Sequence, residues 1–165
     1  RYEPYEKFQL RYDAFNDEVE IKRSSNAQIE ALHKNESISC SINHERLLFK
    51  SFFNTNGEIE TGYLIELYKG DSYALYERRM KIFKEGKQAK TSLQNSFPHR
   101  FQDKVEFFIA IEEEKPKFFR RTKKEVLDLF GENNKGSIKS YFKSNKTDLK
   151  RKDDLITVFK HMDAL

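Results

Sequence analysis

A chain of 165 residues with 37% hydrophobic and 35% charged residues has room for one domain with a thin core, and its 15 Phe and 8 Tyr supply much of that core because each ring buries a large area. The composition excludes several classes: no apolar run approaches the roughly 18–20 residues of a membrane helix, and the single cysteine, Cys40, cannot build a disulfide framework. The net charge of +4 is uneven, with 14 Lys/Arg against 7 Asp/Glu in residues 115–165 and 17 against 20 before them, so the cations concentrate towards the C-terminus.

Residues 8–12 and 18–22 alternate apolar and polar and flank an Asn-Asp turn. They predict a first hairpin with Phe8, Leu10, Tyr12, Val19 and Ile21 facing one core. A short strand over 28–32 follows. Residues 37–42 alternate strictly, which puts Ile38, Cys40 and Ile42 on one side and reads Cys40 as a buried, inert thiol. The next strand, 46–53, ends at an Asn-Thr-Asn-Gly turn signal.

The clearest hairpin, which organises the chain, joins residues 58–68 to 73–83 through Lys69-Gly-Asp-Ser72. Gly70 is expected to supply a positive φ there. Residues 84–98 are polar and aperiodic and read as a mobile loop. Residues 105–111 predict a strand with Val105, Phe107, Ile109 and Ile111 inward, and Phe118-Phe119 adds a short one. About eight or nine strands at hairpin spacing imply an antiparallel meander, open or curled into a barrel.

The period then changes. Thr122 and Glu125 fit a capping box, Val126, Leu129 and Phe130 follow at helical spacing, and Gly131 stops the helix. Ile138, Tyr141 and Phe142 mark a second helix ending near Asn145. Leu155, Ile156, Phe159 and Met162 mark a third from about Arg151. Helices this short need a docking surface. The expected architecture is α+β: a single domain over 1–165, with sheet in 1–121 and a helical tail, 122–165, docked on it.

No constellation of catalytic, cofactor-binding or metal-binding residues emerges. His33, His44, His99 and His161 are scattered, and Glu112-Glu-Glu114 reads as a solvated carboxylate run. One pattern fits nucleic acid: Arg120, Arg121, Lys123 and Lys124 follow Phe118-Phe119, a spacing that could stack bases and grip phosphate. The competing reading makes Phe119 core and the cations a solvated helix start.

Three pieces in this order resemble an uncharacterised family of exported proteins from Bacteroidota-type bacteria. They are Leu10-Arg-Tyr-Asp-Ala-Phe-Asn-Asp-Glu-Val-Glu-Ile21, the hairpin of residues 62–76, and the tail with Lys123-Lys-Glu-Val-Leu-Asp-Leu-Phe130, Ile138-Lys-Ser-Tyr-Phe142 and Asp153-Asp-Leu-Ile156. The family combines an N-terminal β-meander with a Lys-rich helical tail. The resemblance implies a periplasmic or outer-membrane-associated protein, with Arg1 lying downstream of a removed leader. It also implies a non-enzymatic binding or scaffold role through contacts with an envelope protein, with peripheral membrane association compatible. It brings no activity, cofactor or site residue. The alternative expectation is a nucleic-acid-binding domain using the basic tail.

Overall fold

The computed structural model describes residues 8–89, 91 and 95–164, the side chains of residues 132 and 133 excepted. The architecture is α+β, with the strands first and the helices last. In order the elements are β1 (Gln9–Asp13), β2 (Glu18–Lys22), β3 (Glu30–Ala31), β4 (Ser39–Ile42), β5 (Glu45–Phe53), β6 (Ile59–Lys69), β7 (Tyr73–Lys84), β8 (Arg100–Ile111), β9 (Lys117–Phe119), α1 (Lys123–Leu129), α2 (Gly131–Ser144) and α3 (Lys152–Asp163).

The meander divides into two sheets, β1-β2-β3 and β4-β5-β6-β7-β8-β9. In the larger sheet β9 also meets β5 in parallel at Phe53 and Lys117, and the Phe53 N–H donates to the Pro116 carbonyl at 2.8 Å. Strands β5 to β9 therefore curl into a partial ring. Its interior is filled by Leu48, Phe52, Leu64, Ala74, Tyr76, Phe108 and Ala110.

Both faces of this sheet are covered, which corrects the inward set expected for residues 105–111. Phe108 and Ala110 fill the ring, whereas Phe107 and Ile109 point outward under the helices. Val105 is 48% exposed. A strand buried on both sides reads as a continuous apolar run, so alternation cannot choose its face.

On the outside, α1, α2 and α3 bring Val126, Phe130, Ile138, Phe142, Leu155 and Phe159 onto Leu75, Phe107, Ile109 and Phe119. Thr122 caps α1 by accepting the Glu125 N–H at 3.2 Å. The Glu125 carboxylate reaches back to the Arg120 N–H, at 2.6 Å, and not to that of Thr122. Gly131, at φ +69°, turns the chain from α1 into α2, as a glycine past a helix end does.

The smaller sheet packs elsewhere on the outer face, around Val19, Leu47, Tyr63 and Ile65. Its hairpin tip fills a fork. Strands β6 and β7 pair only from Ile65 and Glu77 onward to their turn; before Ile65, β6 stays with β5, and beyond Glu77, β7 stays with β8. Into the gap comes the β1–β2 turn. The Asp17 carboxylate accepts the Tyr63 N–H at 3.2 Å, and the Ala14 carbonyl accepts the Lys81 N–H at 2.8 Å. The turn thus supplies ladder partners that neither strand gives the other.

Other expectations need amendment. The strand at 28–32 shortens to the exposed pair Glu30–Ala31. Cys40 keeps its predicted face but is only half-buried, because β4 is the edge of its sheet. Gly70 is not among the glycines with positive φ, which are Gly57 and Gly131. The predicted loop over 84–98 continues the β7–β8 hairpin: Lys87 and Phe97 exchange both backbone hydrogen bonds, at 2.9 and 3.0 Å. Residues 90 and 92–94 of that stretch lie outside the described residues.

Candidate functional site: a groove between two free strand edges

Among the described residues, β1 pairs only with β2 and β4 only with β5, so each has one ladder edge without a described partner. A groove of about 540 Å³, a volume typical of ligand-binding clefts, lies between Leu10, Arg11 and Tyr12 of β1 and Ile42 at the end of β4. Its apolar surface comes from Leu10, Tyr12, Ile42, Leu47, Ile65 and Val105. Several ends of ladder meet here because the β1–β2 turn sits in the fork between β6 and β7.

The ionisable groups around the groove are committed to one another. Arg79 spans the Glu45 carboxylate with both terminal nitrogens, and its Nε donates to Glu77 Oε1 at 2.6 Å. These contacts raise the Arg79 pKa, and the same pairing holds Glu45 below the ordinary carboxylate range. Glu77, with a side chain 3% exposed, is also met by Lys152 of α3 at 2.7 Å. Lys81 pairs with Asp103 at 3.1 Å, Lys104 with Glu106 at 2.7 Å and Arg11 with Glu20 at 2.6 Å. The Tyr12 hydroxyl donates to Asp17 at 2.8 Å; burial, followed by the Asp17 charge, drives its pKa far above the usual phenol value. Cations that are already paired give a ligand little to bind ionically. What remains available is the apolar lining, with Leu10 and Tyr12 of β1 on one side and Ile42 at the end of β4 on the other.

The cations singled out in the sequence lie together on the β9–α1 connection but are employed differently. The Arg121 guanidinium sits 3.9 Å from the centre of the buried Phe107 ring and donates to the Lys150 carbonyl at 2.7 Å. Lys123 lies 5.8 Å from the Phe142 ring. Arg120 and Lys124 are exposed. Phe119 is 3% exposed and part of the helix-covered core, and Phe118 packs half-buried against Phe108 of the ring interior.

Among the described residues no three of His, Cys, Asp and Glu gather closely enough to hold a metal ion. No described helix is long and apolar enough to cross a membrane. The groove had no signal in the sequence, because it is formed by edges more than 25 residues apart brought together by the fork; Ser39 and Ser41, exposed on β4, mark an edge strand at most. Comparison of the chain with protein-family models, curated proteins and solved structures finds no match.

Proposed function

We propose that the protein is a non-enzymatic binding module that takes an extended segment of a partner protein into the groove between β1 and β4. The observation that carries this reading is an apolar cleft bordered by β1 and by the end of β4, two strands that each pair on one side only among the described residues. An added strand would gain main-chain hydrogen bonds from an edge and side-chain contacts from alternate positions on the floor. The internally paired charges around the cleft favour an apolar or mixed segment over a highly charged one. The envelope location, in the periplasm or at the outer membrane, is proposed with it on the residues that resemble the exported family. The rival reading, a basic tail for nucleic acid, is left with two of its four cations free of ring contacts.

Site-specific photocrosslinking tests this. A benzoylphenylalanine at Val105, which lines the groove, is expected to capture one discrete partner from an envelope fraction. The same probe at Ile29, 61% exposed on another part of the surface, is expected to capture none. An identical adduct pattern from both positions would sink the groove as the binding site, and partners found only in the cytosolic fraction would sink the location.

A further inference from the structure

Strand β8 is accompanied by β7 along its whole length but by β9 only at Phe107, Phe108 and Ile109. From Arg100 to Glu106 its other edge has no partner among the described residues. β9 leaves the ladder after Phe119, where the Arg120 N–H goes to Glu125 of α1 at 2.6 Å. Residues 100–105 are all exposed. A bare strand edge is a template for another strand, and its side chains decide which one. Phe101, Asp103 and Val105 stand on one face, with Phe101 57% and Val105 48% exposed. Arg100, Gln102, Lys104 and Glu106 stand on the other.

We propose that this edge pairs antiparallel with the same edge of a second copy, across a two-fold axis at Asp103. Facing residues in such a pair must lie on the same side of the sheet, so the axis passes through a residue and never between two. Centred on Asp103, Arg100 meets Glu106, Phe101 meets Val105 and Gln102 meets Lys104, each pair formed twice. Centred on Gln102, Arg100 would meet Lys104. Centred on Lys104, Phe101 would fall on Phe107, whose edge β9 already holds. The two Asp103 carboxylates face each other, but each keeps its Lys81 at 3.1 Å, so the row Lys81–Asp103–Asp103–Lys81 carries no net charge. Glu106 keeps Lys104 at 2.7 Å and gains Arg100 of the second copy as another cation. Phe83 extends the apolar row, meeting Phe101 at 5.5 Å. Charged side chains on an edge ordinarily deter pairing. Here their order is complementary to itself, a match that an unrelated strand would not find. The edge shares Asp103, Lys104 and Val105 with the groove, so Phe101 of the second copy lengthens the apolar wall there. The dimer does not rest on what the groove binds, and its self-adduct from a Val105 probe is expected in purified protein alone.

Sedimentation velocity of the purified chain tests the pairing with no other protein present. A species of twice 19.7 kDa is expected to grow with concentration. Phe101→Ser is expected to weaken it at least about tenfold, because each substitution counts twice at a two-fold interface. Arg100→Glu, which sets like charges opposite each other, is expected to weaken it about fivefold. Disulfides in a Cys40→Ser background read the register, since facing Cα atoms of an antiparallel pair lie within disulfide reach. Asp103→Cys is expected to link to itself. Phe101→Cys and Val105→Cys are expected to link when mixed and not singly, and Gln102→Cys to stay unlinked. The substituted β8 side chains are exposed, so circular dichroism is expected to show every variant folded. A monomer at every concentration, dimerisation indifferent to Phe101→Ser, or Gln102→Cys linking as readily as Asp103→Cys would overturn the pairing. So would a monomer in which the Val105 probe captures only a different protein, which would give the edge to a foreign strand.

Discussion

The carboxylate of Asp17 accepts the backbone N–H of Tyr63 at 3.2 Å and thereby holds the tip of one hairpin in the fork of the other sheet. Arg78 lies 3.7 Å from the same carboxylate and pairs with Glu60 at 2.9 Å, so the fork is charged as well as hydrogen-bonded. Gly62 makes room for the approach: a β-carbon there would stand 2.5 Å from Asp17 Oδ2. The fork ties the small sheet to the ring and shapes one wall of the groove.

Asp17→Ala is therefore expected to cost about 2–3 kcal/mol, the range for losing a charged acceptor while its donors remain. Gly62→Ala is expected to destabilise the intact protein but to cost less in the Asp17→Ala background, where the obstructing carboxylate is gone. Urea unfolding of the double-mutant cycle is expected to show a coupling of about 0.5–3 kcal/mol. Strict additivity would mean that Asp17 is not what excludes the methyl group.

A second test concerns the Glu45–Arg79–Glu77–Lys152 network. Glu77 is nearly inaccessible, so removing Arg79 leaves a buried carboxylate with Lys152 alone. Arg79→Met is expected to cost about 2–4 kcal/mol, somewhat less than a fully unpaired buried charge because the lysine remains. The acid dependence follows from Glu45, whose hydrogen bonds to Arg79 hold its pKa below the ordinary 4.5. A depressed folded pKa gives stability that is complete above about pH 4.5 and is lost as pH falls through the lowered value. Wild-type stability is expected to fall in that acidic window, and Glu45→Gln is expected to flatten the slope. An unchanged slope would remove Glu45 from the account.

The third test lies at the β6–β7 turn. Tyr68 donates its hydroxyl proton to Asp163, and the other oxygen of that carboxylate takes the Ser72 N–H at 3.0 Å. A β-carbon on Gly70 would stand 1.7 Å from Asp163 Oδ2, so Gly70→Ala is expected to unseat the end of α3. Desolvation, aided by the Asp163 hydrogen bond, raises the Tyr68 pKa from 10.0 to about 12. A raised folded pKa contributes stability that is complete below pH 10.0 and disappears as pH rises through about 12. Ultraviolet titration is expected to show late ionisation of Tyr68, and Asp163→Asn is expected to move it earlier. No movement would assign the shift to other groups.

Much of this fold was legible because its signals are local. The Asn54–Gly57 turn, the Thr122 cap and the three helical stripes each depend on residues a few positions apart, and each stands where spacing put it. The failures share a different cause. Gly70 is needed for the absence of a side chain near Asp163, a residue 93 positions away, and not for its φ. The faces of β8 were misassigned because helices cover one side and the ring encloses the other. The groove depends on the fork, which no short window contains.

Cys40 lies between those cases, on the expected face but at a sheet edge. Its thiol packs beside Tyr63 and Leu47 while remaining half-buried, and desolvation raises its pKa. A smaller thiolate fraction and partial cover both slow attack. Labelling in the native state is expected to be slower than in denaturant, by less than for a fully enclosed thiol. Equal rates would show that β4 frays from the edge. Cys40→Ser is expected to cost about 1–2 kcal/mol through the half-buried hydroxyl.

The basic tail provides the last test, because structure and nucleic-acid binding make opposite demands on Arg121. Its guanidinium covers Phe107 at 3.9 Å, satisfies the Lys150 carbonyl and belongs to a residue held at φ +29°. Arg121→Ala is therefore expected to lower stability by about 1–2 kcal/mol, combining a ring contact with a charged hydrogen bond. Arg120→Ala, whose side chain is exposed, is expected to stay within about 0.5 kcal/mol of wild type. In a fluorescence-anisotropy titration with single- and double-stranded oligonucleotides, the intact protein is expected to bind only with Kd on the order of 10⁻⁴–10⁻⁶ M and to weaken steeply with salt. Losing one exposed cation should then reduce binding modestly, and Lys124→Ala should match Arg120→Ala. Sub-micromolar affinity that survives salt near 0.2 M, on the order of the physiological strength at which charges are screened within about 8 Å, would require more than phosphate contacts. If that affinity then collapsed in the Arg120→Ala variant while its unfolding curve stayed unchanged, the tail would be a nucleic-acid site and the protein-binding reading would fall.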